Sequence, residues 1–266
     1  MSSTATDAPV ERHVALACHA EGEGPTLVLL HGGAGSWTHW IRNIPALRER
    51  FAVRALDLPG CGDSLRVPDA IDDDAYIEIV CDAIGAIADG GRVELAGFSF
   101  GAVLAAIVAS RRPESVRRLA LVAPGGFGRA LGRTLDLQKM PAESASDRGR
   151  RAVLRHNLLV MMFARPESAD DATLAIHHAN VTRAQYDSRR FSLSEHTRRA
   201  LPAIEAPTLV IFGDADNLAW PSVDARFDLC RAAKPDVRTA TVSGAGHWVQ
   251  YEASDAVNRL LIEFFS

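Results

Sequence analysis

At 266 residues the chain has room for one large domain, with or without an insertion. Its balance of 47% hydrophobic to 23% charged residues excludes a disordered or fibrous polymer. A net charge of −4 lacks the basic excess of a dedicated nucleic-acid binder. The first twenty residues, "MSSTATDAPVERHVALACHA", combine neither a charged start nor an unbroken apolar core, and no apolar run reaches membrane-spanning length. A cytoplasmic protein with no membrane or nucleic-acid partner is therefore expected. Cys18, Cys61, Cys81 and Cys230 are scattered without a CxxC pair, which favours reduced thiols over disulfides or a zinc site.

In chain order, "TLVLLHG" (Thr26–Gly32) is a continuous β-rich run ending in glycine, as a strand buried on both faces requires. "FAVRALDLPG" (Phe51–Gly60) repeats the form and ends in Pro-Gly. Asp72, Asp73 and Asp74 then offer a cap and dipole compensation to a helix whose apolar side includes Ile77, Val80, Ile84 and Ile87. Gly90-Gly91 should close it. "RVELAGF", "VRRLALVAP", "PTLVIFGD" and "VRTATVSGAGH" are further strands, and a last helix should run from Ser254 to about Phe265. Strands alternating with helices imply a mostly parallel sheet covered on both faces. From about Gly125 to Leu201 the strand-like runs vanish and helical, Arg-rich text containing Met140, Met161 and Met162 takes over. Residues 1–124 and 203–266 thus read as an α/β core, and 125–202 as a helical cap inserted over it.

Within "VELAGFSFGAVLA", Gly97, Ser99 and Gly101 match G-x-S-x-G, a sharp strand-to-helix turn that lifts one hydroxyl above the sheet. The amide of Phe100 can then face a developing oxyanion. A hydroxyl of ordinary acidity needs a base. His247, in the Gly-rich loop "SGAGHW", is placed to reach it. The base needs a carboxylate, and "IFGDADN" supplies both Asp214 and Asp216. In "LLHGGAGS" the glycines allow a second oxyanion donor, Gly33 or Ala34, while His31 reads as a loop brace. Asp57 should brace its own loop with Asp63 and Ser64.

Taken together, "HGGAGSWTHW", "DLPGCGDS", "GFSFG", "FGDADN" and "GAGHW" resemble the α/β-hydrolase fold family in content and order. The resemblance implies that fold and a Ser99–Asp216–His247 catalytic set, with Asp216 rather than Asp214 as the acid. Gly33 and Phe100 would form the oxyanion hole. Serine at the elbow separates the chain from haloalkane dehalogenases and epoxide hydrolases, which carry aspartate there. "GHWVQYEASDAVNRLLIEFF" is most similar to the meta-cleavage product hydrolases, beside carboxylesterase-like members. Two features depart from those enzymes: the Gly-rich oxyanion loop is shorter, and the position of their cap arginine falls near His178. The function expected is hydrolysis of a carboxylic ester of a small apolar or aromatic substrate. Cleavage of a C–C bond in a ring-cleavage product is the alternative, with thioester hydrolysis or a slow-turnover receptor on the same fold behind it. Trp37, Trp248 and His178 are expected to contact substrate, although tryptophans at these loops could equally pack them. No metal or organic cofactor is implied, and a homo-oligomer stays open.

Overall fold

The computed structural model describes residues 16–68, 70–129, 134–141 and 146–266. The chain opens with β1 (Cys18–Glu21) and β2 (Thr26–Leu30), a short α1 (Ile44–Leu47), β3 (Ala52–Leu56) and α2 (Asp73–Ala88). Next come β4 (Val93–Phe98), α3 (Phe100–Arg111) and β5 (Val116–Val122). Helices α4 (Asp147–Met161), α5 (Asp171–Arg183), α6 (Arg189–Ser192) and α7 (His196–Ala200) follow, with no strand among the described residues of this stretch. The chain ends with β6 (Thr208–Gly213), α8 (Val223–Ala233), β7 (Arg238–Val242), α9 (Val249–Glu252) and α10 (Ser254–Phe265).

The strands form one sheet in the order β1-β3-β2-β4-β5-β6-β7, parallel except for β1. All six parallel strands coincide with the apolar runs of the sequence. The seventh, β1, was not expected: "CHAE" lacks a β-branched or aromatic residue and becomes a strand by pairing antiparallel to β3, Cys18 opposite Leu56. Strand β4 is buried at every position, and Phe100 to Ala109 of α3 are buried all round, so this strand and helix form the centre of the core. Helix α2 begins as expected, its Asp72 carboxylate accepting from the Ala75 amide at 2.7 Å. It stops one residue sooner than the Gly-Gly pair suggested, at Asp89 in the left-handed region (φ 45). Among the described residues, no helix is long and apolar enough to cross a membrane.

From β2 the chain crosses to β3 on one side and later returns to β4 on the other, while β2 and β4 pair directly, Leu30 opposite Gly97. At such a reversal of strand order the loops leaving the carboxyl ends diverge and open a crevice. His31–Gly33 and Ser99 leave the sheet side by side at this point.

Candidate active site

Ser99 sits between β4 and α3 with φ 51 and ψ −109. Its neighbours must be small for a measurable reason. A Cβ on Gly97 would stand 2.3 Å from the Gly101 carbonyl oxygen, and one on Gly101 would stand 2.4 Å from that of His31. Backbone bonds hold the turn, with the Ser99 amide donating to the Val122 carbonyl at 2.9 Å.

Two distant loops meet this hydroxyl. His247 Nε2 lies 2.9 Å from Ser99 Oγ, and His247 Nδ1 lies 2.9 Å from Asp216 Oδ2. Because an ionised carboxylate only accepts, Nδ1 carries the proton and Nε2 faces the serine as an acceptor. Asp216 is buried, and its Oδ1 accepts from the Leu218 amide at 2.8 Å. Asp214 points elsewhere: it is exposed and takes the Gly244 amide at 2.8 Å and the Ser243 hydroxyl at 3.0 Å, bracing the turn after β7.

Gly33 lies against the elbow, its ideal Cβ position 4.0 Å from Phe100 Cβ. Among the described residues, neither the Gly33 nor the Phe100 amide donates to another group. The loop carrying Gly33 is fixed by two buried histidines. His31 Nε2 accepts from the Leu58 amide at 2.9 Å, while its Nδ1 donates to the Gly32 carbonyl at 2.7 Å. His39 Nδ1 accepts from the Gly32 amide at 3.1 Å. Burial drives both imidazoles toward the neutral form, His31 to about 4 and His39 well below the ordinary range. The role of His39 was not foreseen; seven residues separate it from the amide it holds. Asp57 braces as expected, accepting from the Trp37 and Asp63 amides at 2.7 and 2.8 Å.

Ser99, Asp216 and His247 open onto a cavity of about 350 Å³. Its walls include Phe127, Leu135, Leu193, Phe212 and Leu218, with Arg129 and Arg226 as the cationic groups. The Arg226 guanidinium lies over the Phe127 ring, 5.1 Å from its centroid. None of the three residues expected to contact substrate lines this cavity. Trp248 is 1% exposed, packed on His39, Phe163 and Tyr251 with its indole N–H donating to the His39 carbonyl. Trp37 stacks on the His19 ring. His178 is exposed and borders a different cavity, between α4 and α5, beside Leu154 and Leu174. Trp248 thus packs the loop that it follows. Three arginines of the same helical stretch are engaged in ion pairs, Arg183 with Asp63, Arg189 with Asp187 and Arg190 with Asp73.

The model of the alpha/beta hydrolase family matches residues 27–260. The dihydrolipoyllysine-residue acetyltransferase component of an acetoin cleaving system from Pseudomonas putida is 32% identical over 91% of this chain, which spans 64% of that relative. A 2-hydroxy-6-oxononadienedioate/2-hydroxy-6-oxononatrienedioate hydrolase from Comamonas testosteroni is 29% identical, covering 92% of this chain and 89% of its own. Among solved structures, carboxylesterase CesB (YbfK) from Bacillus subtilis superposes with a TM-score of 0.70 at 25% identity, covering 92% of this chain and 86% of its own. With the family match running from β2 into α10, the chain belongs to the α/β hydrolase family.

Proposed function

We propose that this protein is a serine hydrolase acting on a carboxylic ester of a small apolar or aromatic substrate. The observation that carries the reading is the unbroken relay from Asp216 through His247 to Ser99, with both links at 2.9 Å, opening into a largely apolar cavity. His247 Nε2 takes the proton as Ser99 Oγ attacks the ester carbonyl. The tetrahedral oxyanion accepts from the Gly33 and Phe100 amides, which have no other partner among the described residues. Collapse expels the alcohol, which receives the proton from His247 and leaves an acyl group on Ser99. Water then gives a proton to the same nitrogen and attacks the acyl carbon, and the second collapse returns the proton to Ser99 and releases the acid. Asp216 holds the imidazole in the required tautomer and stabilises the imidazolium. The scheme invokes no cofactor.

The segment 125–202 serves as the cap in this reading. Gly125–Arg129, Leu135, Ser192 and Leu193 contribute to the cavity wall opposite the sheet. A second reading, C–C bond hydrolysis, draws on the Comamonas testosteroni relative, whose name describes a hydrolase of an unsaturated keto diacid.

p-Nitrophenyl esters of graded chain length, assayed beside a ring-cleavage dienoate, test both. Sustained release of p-nitrophenol is expected, and Ser99→Ala should lower kcat by about 10⁴- to 10⁶-fold. A higher kcat/KM on the dienoate would move the assignment to C–C cleavage, and a single burst with no turnover would make the protein a receptor.

A further inference from the structure

We infer that Glu252, in α9, is a positioning residue for His247: its buried carboxylate ties the His247 loop to the segment that follows α4. The inference rests on the serine-hydrolase reading for its kinetic consequence, though its structural part stands alone. The side chain of Glu252 is 0% exposed. A carboxylate in such a place is tolerable only if donors surround it. Oε2 accepts from the Gly246 amide at 2.6 Å and the Ala164 amide at 3.1 Å. Oε1 accepts from the Arg165 amide and the Ser168 hydroxyl, both at 2.8 Å, with the Arg165 guanidinium at 3.7 Å.

Gly246 immediately precedes His247, so this carboxylate sets the peptide from which the imidazole projects. The residue on the other side is fixed by the same segment, since the Trp248 amide donates to the Met162 carbonyl at 2.9 Å. Contact here is close: a Cβ on Gly246 would stand 2.7 Å from the Met162 carbonyl oxygen. His247 is thus held on both flanks by residues 162–168, which belong to the helical stretch and not to the sheet. Within the sheet frame, the loop after β7 is braced before His247, by Asp214 on Ser243 and Gly244 and by the Ala215 amide on the Ala245 carbonyl at 3.1 Å. Glu252 is the side chain that joins the base's loop to the segment following α4.

Glu252→Gln keeps the shape and turns one oxygen into a donor, which then opposes a backbone N–H. With p-nitrophenyl butyrate, kcat should fall about 10- to 100-fold, as expected when a reacting group is displaced by a fraction of an ångström to an ångström, while KM stays within about 3-fold. The low-field proton resonance of the His247–Asp216 bond should broaden or vanish. Glu94→Gln, at a buried carboxylate near the opposite end of β4, should lower the melting temperature and leave kcat and that resonance intact. A Glu252→Gln protein that loses only melting temperature, with kcat and resonance of the parent, overturns the inference. Should it not fold, Ser168→Ala removes one bond to Oε1 and leaves the charge: a kcat loss of roughly 3-fold with a weakened resonance is expected, and parental values of both overturn the inference. The resonance needs no substrate. It therefore decides the role of Glu252 even if Ser99→Ala were still to turn over ester, a result that would sink the serine-hydrolase reading by itself.

Discussion

The loops at the carboxyl edge of the sheet and the helices between β5 and β6 are held by different forces. At the edge, backbone meets backbone: Gly101 is pressed against carbonyls of the β2 end, Ser99 is bonded to Val122, and α3 beneath is buried from Phe100 to Ala109. Between β5 and β6, α4 buries only Leu154 and Leu158, and its link to α5 includes the exposed Arg151–Asp171 pair at 2.6 Å. Dense burial ties the opening of the first region to global unfolding, whereas the sparse burial of α4 lets that helix open locally.

The sharpest way to break this contrast uses two acids on one edge loop. Asp216→Asn should lower kcat by about 10⁴-fold, because the amide favours the wrong imidazole tautomer. Asp214→Asn, two residues away and facing the solvent, should cost less than about 10-fold, consistent with the loss of a partly exposed charge-assisted hydrogen bond. Comparable losses in the p-nitrophenyl assay would show that the loop works as a unit and not through one carboxylate.

A smaller effect tests the rigidity of the edge through pH. His31 is held neutral down to about 4 by burial, so between its ordinary value and that one the unfolded chain binds a proton that the folded chain refuses. Stability should therefore fall as pH drops from about 6.5 to 4, by about 3 kcal/mol from this residue, with no further loss from it below that window. Urea midpoints against pH, with imidazole ¹⁵N shifts to follow His31 itself, check both sign and range. An imidazole already protonated at pH 5.5 would mean that water reaches the buried His31 ring.

The least effect is expected in the helical stretch. Arg151→Ala should lower the unfolding free energy measured in urea by less than about 1 kcal/mol, since both partners of its ion pair are largely exposed. A larger loss would mean that the helices are fastened more tightly than their burial indicates.

The same contrast explains what could be read from sequence. The parallel strands β2 to β6 announce themselves as largely apolar runs because both sheet faces are covered, and the elbow does so because its sterics admit only glycine two places from Ser99. Strand β1 left no such mark, since its order comes from β3 and not from its own residues. Spacing alone did not choose between Asp214 and Asp216, as both follow β6; the choice rested on the family resemblance. The sequence leaves the tryptophans open between packing and lining for a physical reason: a large ring just after a Gly-rich loop can fill the space the glycines leave, as Trp248 does against His39, and sequence order cannot tell filling from lining. Glu252 left no signal, because its four hydrogen-bond donors and the Arg165 guanidinium are spread from Ala164 to Gly246 and meet only in three dimensions.

The torsions of Ser99 carry an evolutionary consequence. That region of the conformational map suits glycine, and holding a side chain there costs about 1–3 kcal/mol. Thermal endurance alone would favour a bare hydrogen at position 99, giving a sturdier and inert molecule. Folding supplies no reason for the hydroxyl, so the strain held at Ser99 points to a role other than stability.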